Sequence, residues 1–377
     1  MSPLFSEPAV SRTTPLGYIE PAVHWFTDTT RPEAEASREA VNRWYEDFPD
    51  PDGKFANRLR SENDIDHYQA LDELYVHHLL RRLHDDVRYE VGDVGPDFRT
   101  YAGGVCAAGV EVLSLFQRED WTTKEKQHQR LADELNRRIP PTDGYFVDFE
   151  IEQAHREPPP RRFADFVRTA LRGLPAHDNI NLPERVTRAD LPQAVYDRDG
   201  VRIRITFIPM RTDAPAKSDP DARIVGMGPM IGGMVNAAER LKERIVAKAG
   251  GRYDIADVPF AIAVGIHDTM CTEEQIIEAL YGGESVAFDP DGVEEARLVR
   301  RNDGVFGADK ERPEGRHRRV SGVVVLSSLR VWETPAADIA VYDNPYAARS
   351  VPEDLFKATR RFGPTERSPE GIRFDWL

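Results

Sequence analysis

The stretch PDFRTYAGGVCAAGVEVLSLF, residues 96–116, decides how the fold is read. PDFRTY (96–101) and VEVLSLF (110–116) are rich in β-branched and aromatic residues, the mark of strands, and Gly103-Gly104 offers a hairpin turn between them. Side chains on a strand alternate between faces, so the turn decides which residues meet. A two-residue turn would pair Asp97 with Val110 and leave Glu111 on the opposite face. A three-residue turn, Gly103 to Val105, or an equivalent bulge in CAAG (106–109), sets Asp97 directly opposite Glu111. Carboxylates on neighbouring strands can converge on one divalent cation only where they point to the same face. The acids are therefore expected to share a face.

Working outward, DHYQALDELYVHHLLRRLH (66–84) has apolar residues at three- and four-residue spacing and predicts a helix. Its buried stripe is read as Tyr68, Leu71, Leu74, Tyr75, His78, Leu79 and Leu83. VRYEV (87–91) predicts a short strand. Upstream, a helix over 31–45 begins at Pro32, where a missing N–H is harmless. DFPDPDG follows as a turn, because its Asp spacing does not fit an EF-hand. Downstream come a helix at 124–138, a strand at 145–152 with Asp148, Glu150 and Glu152 facing solvent, and a helix near 162–172. A hairpin over 194–210 turns near Asp199-Gly200. A long loop follows at 211–228. A helix at 230–249, a buried strand at 258–268, a helix ended by Gly282-Gly283 and a strand at 320–332 complete the regular elements; the tail after Tyr342 reads mostly as loop. The fold class is α/β, a mixed twisted sheet flanked by helices. Its expected organisation is an N-terminal arm and helix (1–60), a core (61–268) with a β-rich insertion at about 140–228, and a C-terminal α/β extension (269–377).

The order of helix ELYVHHLL (73–80), short strand, Pro-Asp strand, glycine turn and strand carrying Glu111 resembles the active-site half of the PD-(D/E)XK, or restriction-endonuclease-like, superfamily. The motif covers about fifty residues, with looser similarity through the helix at 230–249 and the strand at 259–267. The resemblance implies that Glu73, Asp97 and Glu111 bind Mg²⁺ or Mn²⁺ and carry phosphodiester hydrolysis. It also implies a Lys two residues after the strand acid, to stabilise developing charge and orient the attacking water. That position is Leu113. Lysines on following helices that can stand in are Lys124, Lys126, Lys242 and Lys248. The rival reading keeps the fold as a non-catalytic module that binds protein or nucleic acid.

Other residues offer weaker signals. His77 and His84 share the helix face of Glu73, where they can join a metal shell or stand as ordinary polar neighbours. GMGPMIGG (226–233) has the wrong glycine spacing for a dinucleotide fingerprint and reads as a loop. KERPEGRHRRV (310–320) is the strongest basic run; Lys124, Lys126, Arg312, Arg316, Arg318 and Arg319 are the candidate phosphate contacts. His267 and Asp268, at the end of an apolar strand, mark a third possible site.

Composition bounds the partners. Asp plus Glu number 65 against 50 Lys plus Arg, a net charge of −15, so a polyanion meets repulsion except at a local basic patch. With 40% hydrophobic and 31% charged residues the chain can build a sizeable core. No apolar run approaches the ~20 residues of a membrane span, and no signal peptide is visible. Cys106 and Cys271 stand far apart, in no zinc-ligand spacing. The expected setting is cytoplasmic.

Overall fold

A computed structural model gives the fold, and it describes residues 3–9, 11–92, 94–116, 119–140, 144–175, 187–210, 222–225, 237–250, 253, 257–268, 271–287, 297–327, 329, 337–368 and 371–377. The chain divides into two compact units, one of residues 1–12, 21–117 and 234–377, the other of residues 13–20 and 118–233.

In the first unit, helices α1 (His24–Thr27), α2 (Pro32–Glu46), α3 (Lys54–Leu59) and α4 (Asp64–Arg81) precede strands β1 (Asp86–Tyr89), β2 (Phe98–Ala102) and β3 (Val105–Leu115). The DFPDPDG turn earns its place by capping. The Asp50 carboxylate accepts from the backbone N–H groups of Phe55 (3.1 Å) and Ala56 (2.8 Å), first-turn donors of α3 that have no partner within the helix. Asn63 caps α4 through the Ile65 N–H at 3.1 Å, and Asp64 and Asp66 complement the positive end of its dipole.

The inserted second unit holds α5 (Glu119–Arg138), β4 (Tyr145–Ala154), α6 (Pro160–Arg172), β5 (Gln193–Arg198) and β6 (Val201–Pro209). Its sheet has the order β4-β6-β5 and is antiparallel throughout. The β5–β6 hairpin closes on Asp199 and Gly200, both at positive φ, as their sequence predicts. Tyr145, Val147 and Phe149 alternate inward along β4 to pack with Leu131, Leu135, Phe163 and Tyr196.

The chain then resumes the first unit with α7 (Ala237–Ala249), β7 (Phe260–Ile266), α8 (Glu273–Tyr281), β8 (Glu284–Ala287), β9 (Arg297–Arg300), β10 (Gly322–Ser327), β11 (Asp338–Asp343), β12 (Arg360–Ser368) and β13 (Gly371–Trp376). Eight strands form one mixed sheet in the order β1-β2-β3-β7-β10-β11-β12-β13, and β8 and β9 form a separate pair. β7 lies parallel to both neighbours, β3 and β10. Its apolar run is buried from Phe260 to Val264, as a strand covered on both faces demands. Among the described residues, no helix is long and apolar enough to cross a membrane.

Two expectations change. The tail after Tyr342 forms the hairpin β12–β13, whose aromatics Phe362, Phe374 and Trp376 pack on Tyr281 and Tyr342. Pro364 interrupts the pattern of β12, while β13 alternates Ile372, Phe374 and Trp376 with Arg373 and Asp375; pairing beside β11 completes both. On α4 the buried set extends past the expected stripe to His67, Ala70, Asp72, Val76, His77 and Leu80, while Leu83 is exposed. Helix α4 is covered by the sheet on one side and by α2 and α3 on the other. The helix read over 230–249 is described only from Ala237; GMGPMIGG lies outside the described residues.

Candidate functional site

The β2–β3 hairpin sets the site. Gly103 (φ 58°) and Gly104 (φ 81°) form a two-residue turn, and Ala102 pairs with Val105. That turn alone would put Asp97 and Glu111 on opposite faces. A bulge corrects it: Tyr101 pairs with Cys106 but Thr100 pairs with Ala108, so Ala107 is an extra residue. Phe98 then pairs with Val110, and Asp97 stands across from Glu111. The bulge in CAAG, not a longer turn, brings the two acids to one face.

They are tied together through the backbone. The Val112 N–H donates to Asp97 Oδ2 (2.6 Å), and the Asp97 N–H donates to Glu111 Oε2 (3.2 Å). Glu111 is only 4% exposed. Burial, the Glu111 charge and the more distant Glu73 charge push the Asp97 carboxyl up to about 7; the Val112 N–H and Lys248 pull against them.

The cation of this pocket comes from α7. Lys248 Nζ donates to Glu111 Oε1 in an ion pair. Burial opposes its charge, yet the bond and attraction to Glu111, helped by Asp97 and Glu73, leave its pKa above the ordinary value. Ala238, Leu241 and Ile245 are the buried stripe of α7 against the sheet, and Lys248 continues that stripe by one turn. Leu113, where a motif Lys was expected, is 6% exposed and packs within that same apolar cluster. An ammonium there would be buried among hydrocarbon; at 248 it meets a carboxylate instead. Tyr253 lies beside the pair, its hydroxyl pKa raised by burial and by the Glu111 carboxylate that it hydrogen-bonds. Arg319 holds the Tyr253 carbonyl and packs near its ring, 5.8 Å from the centroid.

Glu73 is drawn elsewhere. It projects from α4, on the face of β3 opposite α7, and Arg58 grips both its oxygens (3.0 and 2.6 Å) while Tyr89 Oη donates at 2.9 Å. Of the three acids, two meet. Among the described residues, no group of three His, Cys, Asp or Glu side chains converges on a point that could hold a metal ion.

The remaining candidates separate cleanly. His77 is buried between Phe48 and Phe98, and burial, with Arg81, lowers its pKa to about 4; it is a neutral core residue, not a partly exposed one. His84 leans toward the Leu355 carbonyl (3.4 Å). Arg316 is spent on the protein's own loop, donating to the carbonyls of Gly304 (2.9 Å) and Gly307 (3.3 Å). Arg318 approaches the Tyr346 carbonyl at 3.4 Å, and Arg312 is exposed, with its backbone N–H on Asp309 (2.8 Å). Lys124 and Lys126 lie on α5 in the inserted unit; the Lys124 side chain is outside the described residues, and Lys126 is exposed. Lys242 pairs with Glu239 at 3.5 Å.

At the far end of β3 a second polar cluster forms. Ser114 Oγ donates to Asp72 Oδ2, and His267 Nε2 lies 2.8 Å from the same oxygen. Gly265 leaves room for that carboxylate, since a Cβ there would collide with it. Asp268 is buried and bound by Arg240. Ser114 bonds Asp72 rather than His267, so the cluster lacks the Ser–His link of a nucleophilic triad.

Compared with family models, curated proteins and solved structures, the chain matches none.

Proposed function

We propose that the Asp97–Glu111–Lys248 pocket is the centre of a Mg²⁺- or Mn²⁺-dependent phosphodiesterase acting on nucleic acid, built on a restriction-endonuclease-like core of α4, β1–β3, α7 and β7. The observation that carries this reading is the placement of Lys248 on Glu111, beside Asp97. It supplies from a facing helix the cation that position 113 lacks. The element order supports the core: a helix, three antiparallel strands, then a helix and a strand parallel to the third.

The donor set suits a hard divalent cation. A buried and a half-buried carboxylate share one ammonium, and burial, followed by the Glu111 charge, lifts Asp97 toward neutrality. Asp97 and Glu111 would hold a cation there through oxygen, in place of the Asp97 proton. When bound, it would polarise a phosphate and lower the pKa of water. Lys248 keeps N–H donors beyond its bond to Glu111, free for a non-bridging phosphate oxygen whose charge grows during reaction. The Val112 N–H holds Asp97 in its rotamer, so the acid needs no reorganisation to take part.

The rival, a non-catalytic module on the same fold, draws on the Arg58 and Tyr89 grip that keeps Glu73 out of the pocket. Cleavage of single- and double-stranded DNA and RNA with Mg²⁺ or Mn²⁺ separates them. Activity that falls at least 100-fold in both Asp97→Asn and Lys248→Met supports the enzyme. No cleavage under any metal, with titration calorimetry showing no Mg²⁺ or Mn²⁺ binding at millimolar concentration, selects the module.

A further inference from the structure

The inserted unit carries a cleft of about 420 Å³ where the C-terminal ends of α5 and α6 come together, a size typical of small-molecule sites. Three guanidinium groups line it: Arg138 from the last turn of α5, and Arg168 and Arg172 from α6. In a chain of net charge −15, that concentration of cations in one concavity runs against the mean. Part of the lining is apolar, a floor of Leu171, Leu174 and Tyr145. Tyr145 Oη donates to the Pro175 carbonyl at 2.7 Å, which ties the chain leaving α6 to the first residue of β4 and fixes the wall.

Part of this charge serves the fold. Arg138 pairs with Glu134 one turn back, and Arg168 approaches Asp165 (3.3 Å) and the Arg138 carbonyl (3.4 Å). Basic side chains at helix C-termini also offset the negative end of the dipole. The donors outnumber those duties. A guanidinium has five N–H groups; Arg138 and Arg168 use a minority of theirs, and Arg172 is exposed, with no hydrogen bond or ion pair among the described residues. Forked donors beside apolar side chains match an oxyanion attached to a hydrocarbon or aromatic body.

We propose that this cleft binds a small organic oxyanion, a phosphate monoester or a carboxylate, with the acid group held by Arg168 and Arg172 and the apolar body seated on Leu171 and Leu174. The site belongs to the inserted unit and does not depend on the phosphodiesterase reading. Titration calorimetry on the full chain, without divalent metal, tests it with phenyl phosphate, benzoate and inorganic phosphate as probes. Phenyl phosphate or benzoate should bind with Kd below about 1 mM, and the tighter of the two assigns the acid. Inorganic phosphate should bind at least tenfold more weakly, because it leaves the floor empty. Arg172→Gln, at an exposed position that leaves folding intact, should weaken the better probe about tenfold, and Leu174→Asp should do the same by charging the floor. Equal affinity in Arg172→Gln, inorganic phosphate binding as well as the aromatic probes, or no binding of any probe would overturn the proposal.

Discussion

Strand β3 carries two buried acid sites three residues apart, and they are built in opposite ways. At Ser114 the carboxylate of Asp72, fully buried, is fed by Ser114 and His267 on one oxygen and lies against Gly265, while Tyr68 and Phe116 pack on the His267 ring. At Glu111 two carboxylates lie side by side, a lysine pairs with one of them, and Asp97 is lifted to about 7. The first site is sealed from solvent: Asp72 Oδ2 takes both bonds, and the buried Oδ1 has no partner among the described residues. The second is reached by a lysine whose side chain is 40% exposed, and it holds two acids for one cation, the condition expected where a cation or a substrate completes the balance. The two sites thus divide by access to solvent rather than by how fully their charge is met.

The sharpest way to break the comparison is at Gly265. A Cβ there meets the Asp72 carboxylate head-on. Gly265→Ala should cost on the order of 4 kcal/mol or prevent folding, because a buried charge must leave its partners; urea unfolding measures it. A variant of wild-type stability would show that the Asp72 cluster is loose.

Next comes Asp97→Asn. Asp97 ionises near 3.8 in the unfolded chain and at about 7 in the folded one. Between those values the folded state holds a proton that the unfolded state has lost, so this group's stability contribution is greatest at low pH. It falls as pH rises from about 4 to about 7, then levels. Asparagine removes that slope. The variant should match wild type near pH 4 and exceed it at pH 8 by on the order of 3 kcal/mol. Parallel curves for the two proteins would mean that the acid pair is not strained.

The smallest effect is expected at Lys248→Met, whose stem still covers the end of the α7 stripe. Stability should fall by on the order of 2 kcal/mol, because Glu111, 4% exposed, is left without its cation. The Asp97 titration, followed by carboxyl NMR, should move upward from about 7 because a cation that lowers it has gone. An unmoved titration would place the ammonium away from the pair.

Much of this was legible in the chain. The requirement that Asp97 and Glu111 share a face led to a three-residue turn or an equivalent bulge in CAAG; the turn has two residues, and the bulge is at Ala107. Lys248 was one of four lysines named as stand-ins, and Leu241, Ile245 and Lys248 fall at i, i+4 and i+7, which sets it on the buried stripe of its helix. Other features were hidden for physical reasons. The grip of Arg58 on Glu73 joins α3 to α4 through side chains with no pattern in common. Arg316 looked available because nothing in KERPEGRHRRV tells that three loop carbonyls converge on its guanidinium. Strand β12 is interrupted by Pro364, and β13, although Ile372, Phe374 and Trp376 alternate with Arg373 and Asp375, is short and sits in the sheet only through β12.

The interruption of the core between β3 and α7 has a kinetic consequence. Glu111 pairs with Ile262 across the whole inserted unit, so the central parallel ladder is among the most non-local contacts in the molecule. Closing so long a loop adds little to the equilibrium cost, which grows only with the logarithm of length. The rate is another matter, because distant pairings slow the search. During synthesis the acid hairpin emerges well before Lys248, and for that interval Asp97 and Glu111 have no ammonium to pair with.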